Sequence, residues 1–276
     1  MPKAAKVRAV PKGQGLGGDL RAYALDQLAG AASQLGREGE ARHDGVHQAR
    51  KSLRRARAAL ALAPRALGDK GRRLDAALAA ACQGMGALRD AQALLEALQR
   101  LAPRLPSELR DILPEAMVLA TARRNAMLAA ALERDPGFAR RRARLDALAI
   151  RLAKLDWDAV REKDVAKAVA RSERRVAKAR RRVKRHPEDD ERWHVLRRRL
   201  RRLRQQDSLL QAVAPAFRPA GGVSADQATA LGEAQDDALL LRHCARRSPF
   251  PPAIRRVIRA IARERLAGVR AGQPKD

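Results

Sequence analysis

Leu and Ala recur at three- and four-residue intervals along most of the chain, and no alternating apolar-polar run is long enough to argue a strand. Helices are therefore expected throughout. The first spans 19–36, with Asp19 as N-cap and Gly36 near its end, and Gly39 and Gly45 punctuate the next segment. A second is expected over 46–62, stopped by Pro64. Helical spacing of Leu74, Leu78, Leu88, Leu95 and Leu98 covers 70–100, and a proline-punctuated link covers 103–114. Further helices are expected over 115–133, ended by the Arg-Asp-Pro-Gly stretch at 134–137, and over 138–154. Residues 155–160 read as a midpoint. A long basic helix at 162–185 stops at His-Pro, and 190–213 starts behind Asp189 or Asp190, whose charge suits a helix N-terminus. After a loop at 214–224, helices at 225–247 and 252–267 complete the chain.

Composition sharpens this to an all-α class. The 276 residues are 46% hydrophobic but only 2% aromatic, and the apolar supply is Ala and Leu, strong helix formers. No apolar run approaches the roughly 20 residues of a membrane span. Residues 1–18 read as a flexible basic leader without the apolar segment of a secretory signal, and 271–276 as a tail. Cys82 and Cys244 have no metal-ligand spacing and fit a reducing, cytoplasmic setting.

Two segments share a phrase. His47, Arg50, Lys51, Leu53, Arg54, Arg55 and Arg57 match His194, Arg197, Arg198, Leu200, Arg201, Arg202 and Arg204 in order. A second block accompanies each: Met-Gly-Ala-Leu-Arg-Asp at 85–90 and Leu-Gly-Glu-Ala-Gln-Asp at 231–236, aligning Gly86 with Gly232 and Asp90 with Asp236. The two blocks keep the same separation to within one residue. This predicts two homologous helical bundles related by a pseudo-twofold, 19–155 and 156–270.

Charge then gives the repeat a purpose. Lys and Arg number 59 against 31 Asp and Glu, a formal net charge of +28 and a pI near 11.6. Such a field attracts polyanions: nucleic acid, an anionic membrane surface or inorganic polyphosphate, which composition alone does not separate. At about 100° per residue, His47, Arg50, Lys51 and Arg54 share one helix face, flanked by Arg55 and Arg57, with Ala49, Leu53, Ala56 and Leu60 opposite. His194, Arg197, Arg198 and Arg201, flanked by Arg202 and Arg204, repeat the pattern, and Arg199 falls outside it. Each stripe is about 15 Å long and matches a linear polyanion better than a single phosphate. Arg forks give bidentate bonds to phosphate oxygens. The histidines, with an ordinary pKa near 6.5, would gain charge beside a bound polyanion. The helix at 170–185 adds Arg174, Lys178 and Arg181 as further wall candidates.

The doubled pattern H-x2-R-x3-R-x2-R, His47-Arg50-Arg54-Arg57 and His194-Arg197-Arg201-Arg204, with its downstream Gly and Asp, resembles the conserved histidine α-helical (CHAD) domain family over roughly 19–267. The resemblance implies two four-helix bundles and a basic central groove that binds inorganic polyphosphate without catalysis or cofactor. With the cytoplasmic setting read from the cysteines, an association with polyphosphate granules is the expectation. Met85 stands for the Leu of the downstream block, and Gln205 stands where the second motif often has Tyr, neither touching the stripe.

Other signals carry less. His43 and His47 are one turn apart but no third metal ligand is evident, and Gly45 interrupts the helix between them. Gly13 to Gly18 satisfies G-x-G-x-x-G but is preceded by no strand. Residues 38–42 approach the Glu-x-Glu-x-Lys signature of triphosphate tunnel enzymes, but Arg42 replaces Lys and the setting is helical. Asp90 and Asp236 are expected to cap helices or pair with arginines. A nucleic-acid binder is the alternative, held through non-specific charge. Against it stand the few stacking residues, Tyr23, Phe138, Trp157, Trp193, Phe217 and Phe250. A phosphohydrolase is the third reading, and it lacks carboxylate clusters suited to metal ions.

Overall fold

The computed structural model describes residues 15–104, 111–220, 225–245 and 248–271. Among them stand ten α-helices and no strand: α1 (Gly15–Leu35), α2 (Ala41–Leu60), α3 (Gly68–Gln83), α4 (Gly86–Leu101), α5 (Ile112–Arg134), α6 (Ala139–Ala153), α7 (Glu162–Arg185), α8 (Asp190–Val213), α9 (Ala225–His243) and α10 (Pro252–Ala271). The all-α expectation holds. The expected leader up to residue 14 and the tail beyond 271 lie outside the described residues.

Three local expectations are corrected. Asp19 does not cap α1, which starts at Gly15. Gly45 does not interrupt α2. It is buried, and the helix runs through it because packing outweighs the roughly 1 kcal/mol propensity cost of an interior Gly. The stretch 70–100 is two helices, parted at Gly84 and Met85.

The chain forms two compact units that cut across the sequence repeat. One comprises residues up to 36, 48–83 and 140–222; the other 37–47, 84–139 and 223–276. Both helices of the His-Arg phrase, α2 and α8, contribute to the first unit. Both downstream blocks, on α4 and α9, fall in the second. Each unit therefore draws helices from both sequence halves.

In the first unit, α1 buries Leu20, Ala24, Leu28, Ala31 and Leu35 at helical spacing, and α2 buries Ala49, Leu53, Ala56 and Leu60, the face predicted opposite the charge. Leu74 and Leu78 of α3 and Leu196, Leu200 and Leu203 of α8 join this core. Trp157, at the expected midpoint, is 2% exposed and donates its indole N–H to the Leu152 carbonyl at 2.9 Å. A Cβ on Gly17 would lie 2.0 Å from the Trp157 carbonyl oxygen. The glycine-rich start of α1 thus serves close packing rather than a dinucleotide. Asp189 caps α8 by accepting from the Glu191 and Arg192 backbone N–H groups.

The second unit packs α4 against α5 and α9, and α9 against α10. Its core includes Leu94, Leu98 and Leu101 of α4, Leu113 and Ala116 of α5, Leu240 and Cys244, and Ile254 and Ile258 of α10. Asp236 pairs with Arg100 at 2.8 Å and the buried Asp237 with Arg265 at 3.0 Å. His243 packs beside Asp90, and burial, then Arg123, hold its pKa below the ordinary value against the pull of Asp90. The repeated aspartates therefore act in helix-helix contacts.

Candidate functional site

Within the first unit, α2, α3 and α8 enclose a cavity of about 480 Å³. Its cationic wall is Arg54 and Arg57 from α2 and Arg198, Arg199, Arg201 and Arg202 from α8. Leu53 and Ala56 on α2, and Leu200 and Leu203 on α8, are buried in the core. The neighbouring arginines are thereby anchored by helical period.

Each guanidinium is held differently. Arg57 forms a two-bond pair with Asp75 of α3, Nε to Oδ1 at 2.7 Å and Nη2 to Oδ2 at 3.1 Å. Burial would lower the Arg57 pKa, but those bonds outweigh it and raise the value. Arg50 donates to the Cys82 carbonyl, and the Cys82 thiol donates back to the Arg50 carbonyl at 3.9 Å, pinning α2 to α3. Burial, then the positive charge of Arg201, pushes the Arg54 guanidinium down to about 10, with Arg50 adding to the repulsion and Cys82 opposing it. Burial, then Arg50, lowers Arg201. Burial also lowers Arg202, where Asp75 opposes and Arg57, Arg199 and Arg175 add repulsion. Arg199 is lowered by burial, then by Arg175 and Arg198. The Nε of Arg54 is buried without a hydrogen-bond partner.

These groups remain cationic at neutral pH, so like charges crowd one cavity, with Asp75 paired to Arg57 and Glu191 paired to Arg198 at 3.0 Å. Positive charge gathered where water is partly excluded raises the affinity for an anion, which relieves the repulsion as it binds. Several guanidinium forks spaced along two helices suit an anion with several phosphate groups.

Not every residue of the expected stripe reaches this wall. Arg54, Arg57, Arg198, Arg201 and Arg202 do, and Arg50 acts on Arg54 and Arg201 through its charge. His47, Lys51, His194 and Arg197 are half-buried and each has an interaction of its own, but none lines the cavity. Arg55 lies beside Tyr23 of α1, and Arg204 is exposed. Arg199, set outside the stripe by the helical wheel, lines the cavity, as does Gln205. Both corrections share a cause. On α8 the lining residues centre roughly 60° away from His194, on the edge between Arg198 and Arg202.

On α7, Arg174, Lys178 and Arg181 are exposed and line neither this cavity nor its neighbour, whereas Arg171 and Arg175 line the neighbour. The four-residue spacing of Arg171 and Arg175 was readable; which face of α7 meets α8 was not. Among the described residues, no group of three His, Cys, Asp or Glu is placed to hold a metal, and no helix is long and apolar enough to cross a membrane.

A protein-family model described as CHAD domain matches residues 21–246. The crystal structure of the CHAD domain from the plant Ricinus communis superposes with a TM-score of 0.62 at 21% identity, covering 100% of this chain and 93% of that one. PptA from Streptomyces chartreusis gives a TM-score of 0.62 at 22% identity, covering 92% of this chain and 96% of that one. No curated protein matches.

Proposed function

The chain belongs to the CHAD domain family, and on that premise we propose that it binds inorganic polyphosphate in the arginine-lined cavity and does not turn it over. One observation carries the reading. Arginines from both copies of the repeated phrase converge on one cavity, and four of them, Arg54, Arg199, Arg201 and Arg202, bind their protons less tightly than usual because of burial and one another's charge. A linear chain of phosphates neutralises several of them at once. A single phosphate neutralises few.

Catalysis is left out of the reading because, among the described residues, the cavity lining holds no carboxylate, histidine or cysteine. The carboxylates that meet its wall are engaged, Asp75 by Arg57 and Glu191 by Arg198. Duplex or single-stranded nucleic acid would be drawn by the net charge, but among the described residues the lining offers no aromatic side chain for base stacking. In a cell, the reading places the protein with cytoplasmic polyphosphate, including its granules.

Competition binding at fixed salt tests the proposal, with polyphosphate set against DNA and RNA of matched phosphate content. Polyphosphate should win, and its affinity should fall steeply with salt as bound counterions are released. Tighter binding of duplex DNA would transfer the cavity to nucleic acid. Release of orthophosphate in the presence of Mg²⁺ or Mn²⁺ would overturn the non-catalytic part.

A further inference from the structure

The first unit holds a second cavity of about 810 Å³ between α3, α7 and α8. Arg65, Arg72, Arg171, Arg175 and Arg202 line it, together with Asp75. Two features join it to the arginine cavity. Arg202 lines both. The two-bond pair between Arg57 of the first cavity and Asp75 of the second stands at their junction. The charges are continuous as well, since Arg175 acts on both Arg199 and Arg202.

The second cavity is not a duplicate of the first. Arg72 is engaged by Asp69 within α3. Asp75 puts a carboxylate in its lining, a repulsive element that Arg57 partly neutralises. Arg171 and Arg175, one turn apart on α7 and so about 6 Å along the helix, provide a short cationic ladder beyond Arg202. An oligophosphate held by Arg54, Arg201 and Arg202 occupies a cavity whose lining does not include Arg171 or Arg175. A long chain leaving the first cavity past Arg202 would.

Resting on the polyphosphate reading above, we propose that the second cavity is a continuation subsite for the same ligand, and that it makes the protein discriminate by chain length. Short oligophosphates fill the arginine cavity alone. Long chains pass Arg202 and gain contacts with Arg171 and Arg175.

The test compares tripolyphosphate with long-chain polyphosphate on the full chain, by calorimetry at fixed salt. In the double variant Arg171→Gln and Arg175→Gln, long-chain affinity should fall about tenfold or more, the scale of one lost charge-assisted bond. Tripolyphosphate affinity should change by less than about threefold, a margin that allows for the long-range charge of Arg175. A matched variant on the outer face of the same helix, Arg174→Gln and Arg181→Gln, should alter neither by more than that margin. Equal losses for the two ligands, or equal losses from the inner and outer variants, would overturn the continuation subsite. Unchanged binding of both ligands to Arg54→Met with Arg201→Met would instead refute the polyphosphate assignment of the first cavity. Circular dichroism confirms that each variant is folded.

Discussion

Replacing Arg54 and Arg201 together with Met separates a built anion site from bulk charge. These guanidinium groups repel each other across the cavity. The fall of the Arg54 pKa to about 10 means that keeping it charged costs roughly 3 kcal/mol relative to water. An anion recovers part of that cost and adds hydrogen bonds to a charged group, each worth about 1.5–3 kcal/mol. Losing one such bond from each arginine removes at least about 3 kcal/mol, roughly a hundredfold in affinity. Met keeps the apolar stem of the side chain in place while deleting the charge. The melting temperature should therefore hold or rise as affinity falls, because the deleted charges opposed folding. The assay is a polyphosphate titration at several salt concentrations beside a thermal melt. The double variant should also show a shallower dependence of affinity on salt, since fewer phosphates are neutralised. The comparison is Arg174→Met with Arg181→Met, an equal loss of charge from the exposed face of α7. Equal losses of affinity from the two pairs would refute the reasoning, as would a melting temperature several degrees lower in the cavity variant.

Three further outcomes are expected. Gly17→Ala would push a methyl into the Trp157 carbonyl, and overpacking of this kind costs about 1–3 kcal/mol, measurable as a lower midpoint in urea. His43 is held below its ordinary pKa by burial, then Arg124, and His243 by burial, then Arg123, so the unfolded chain takes up these protons first as pH falls. Stability should then decline as pH falls below the unfolded value near 6.5, and His43→Gln with His243→Gln should flatten that decline in melts between neutral and mildly acidic pH. Burial pushes the Cys244 thiol up to about 11. It should resist alkylation in the native protein at pH 8 and react on unfolding, as read by mass spectrometry.

Local physics was fully legible where the helical period is uninterrupted. The basic helix at 162–185 and the capped helix at 190–213 occur at the expected residues, because apolar spacing, His-Pro and the Asp189 carboxylate each act within a turn or two of chain. The repeated phrase was legible for the same reason: matching positions on two helices expose matching faces. It led to Arg54, Arg57, Arg198, Arg201 and Arg202. The sequence also determined that the other face of these helices is core, at Leu53, Ala56, Leu200 and Leu203.

Tertiary structure decided what the wheel cannot contain. A wheel centred on His194 leaves out Arg199, yet the packing of α7 against α8 turns the cavity about 60° away from His194 and brings Arg199 into its lining. The same packing puts Arg171 and the exposed Arg175 in the lining of the neighbouring cavity and leaves Arg174, Lys178 and Arg181 out of both. Asp75 carries no signal in the sequence that it would face Arg57 from another helix. The packing of α4 against α9 likewise depends on contacts between residues more than a hundred positions apart. Helical period fixes which residues share a face. Only the burial of those faces against other helices sets which faces meet, and therefore which charges are brought together and stripped of water.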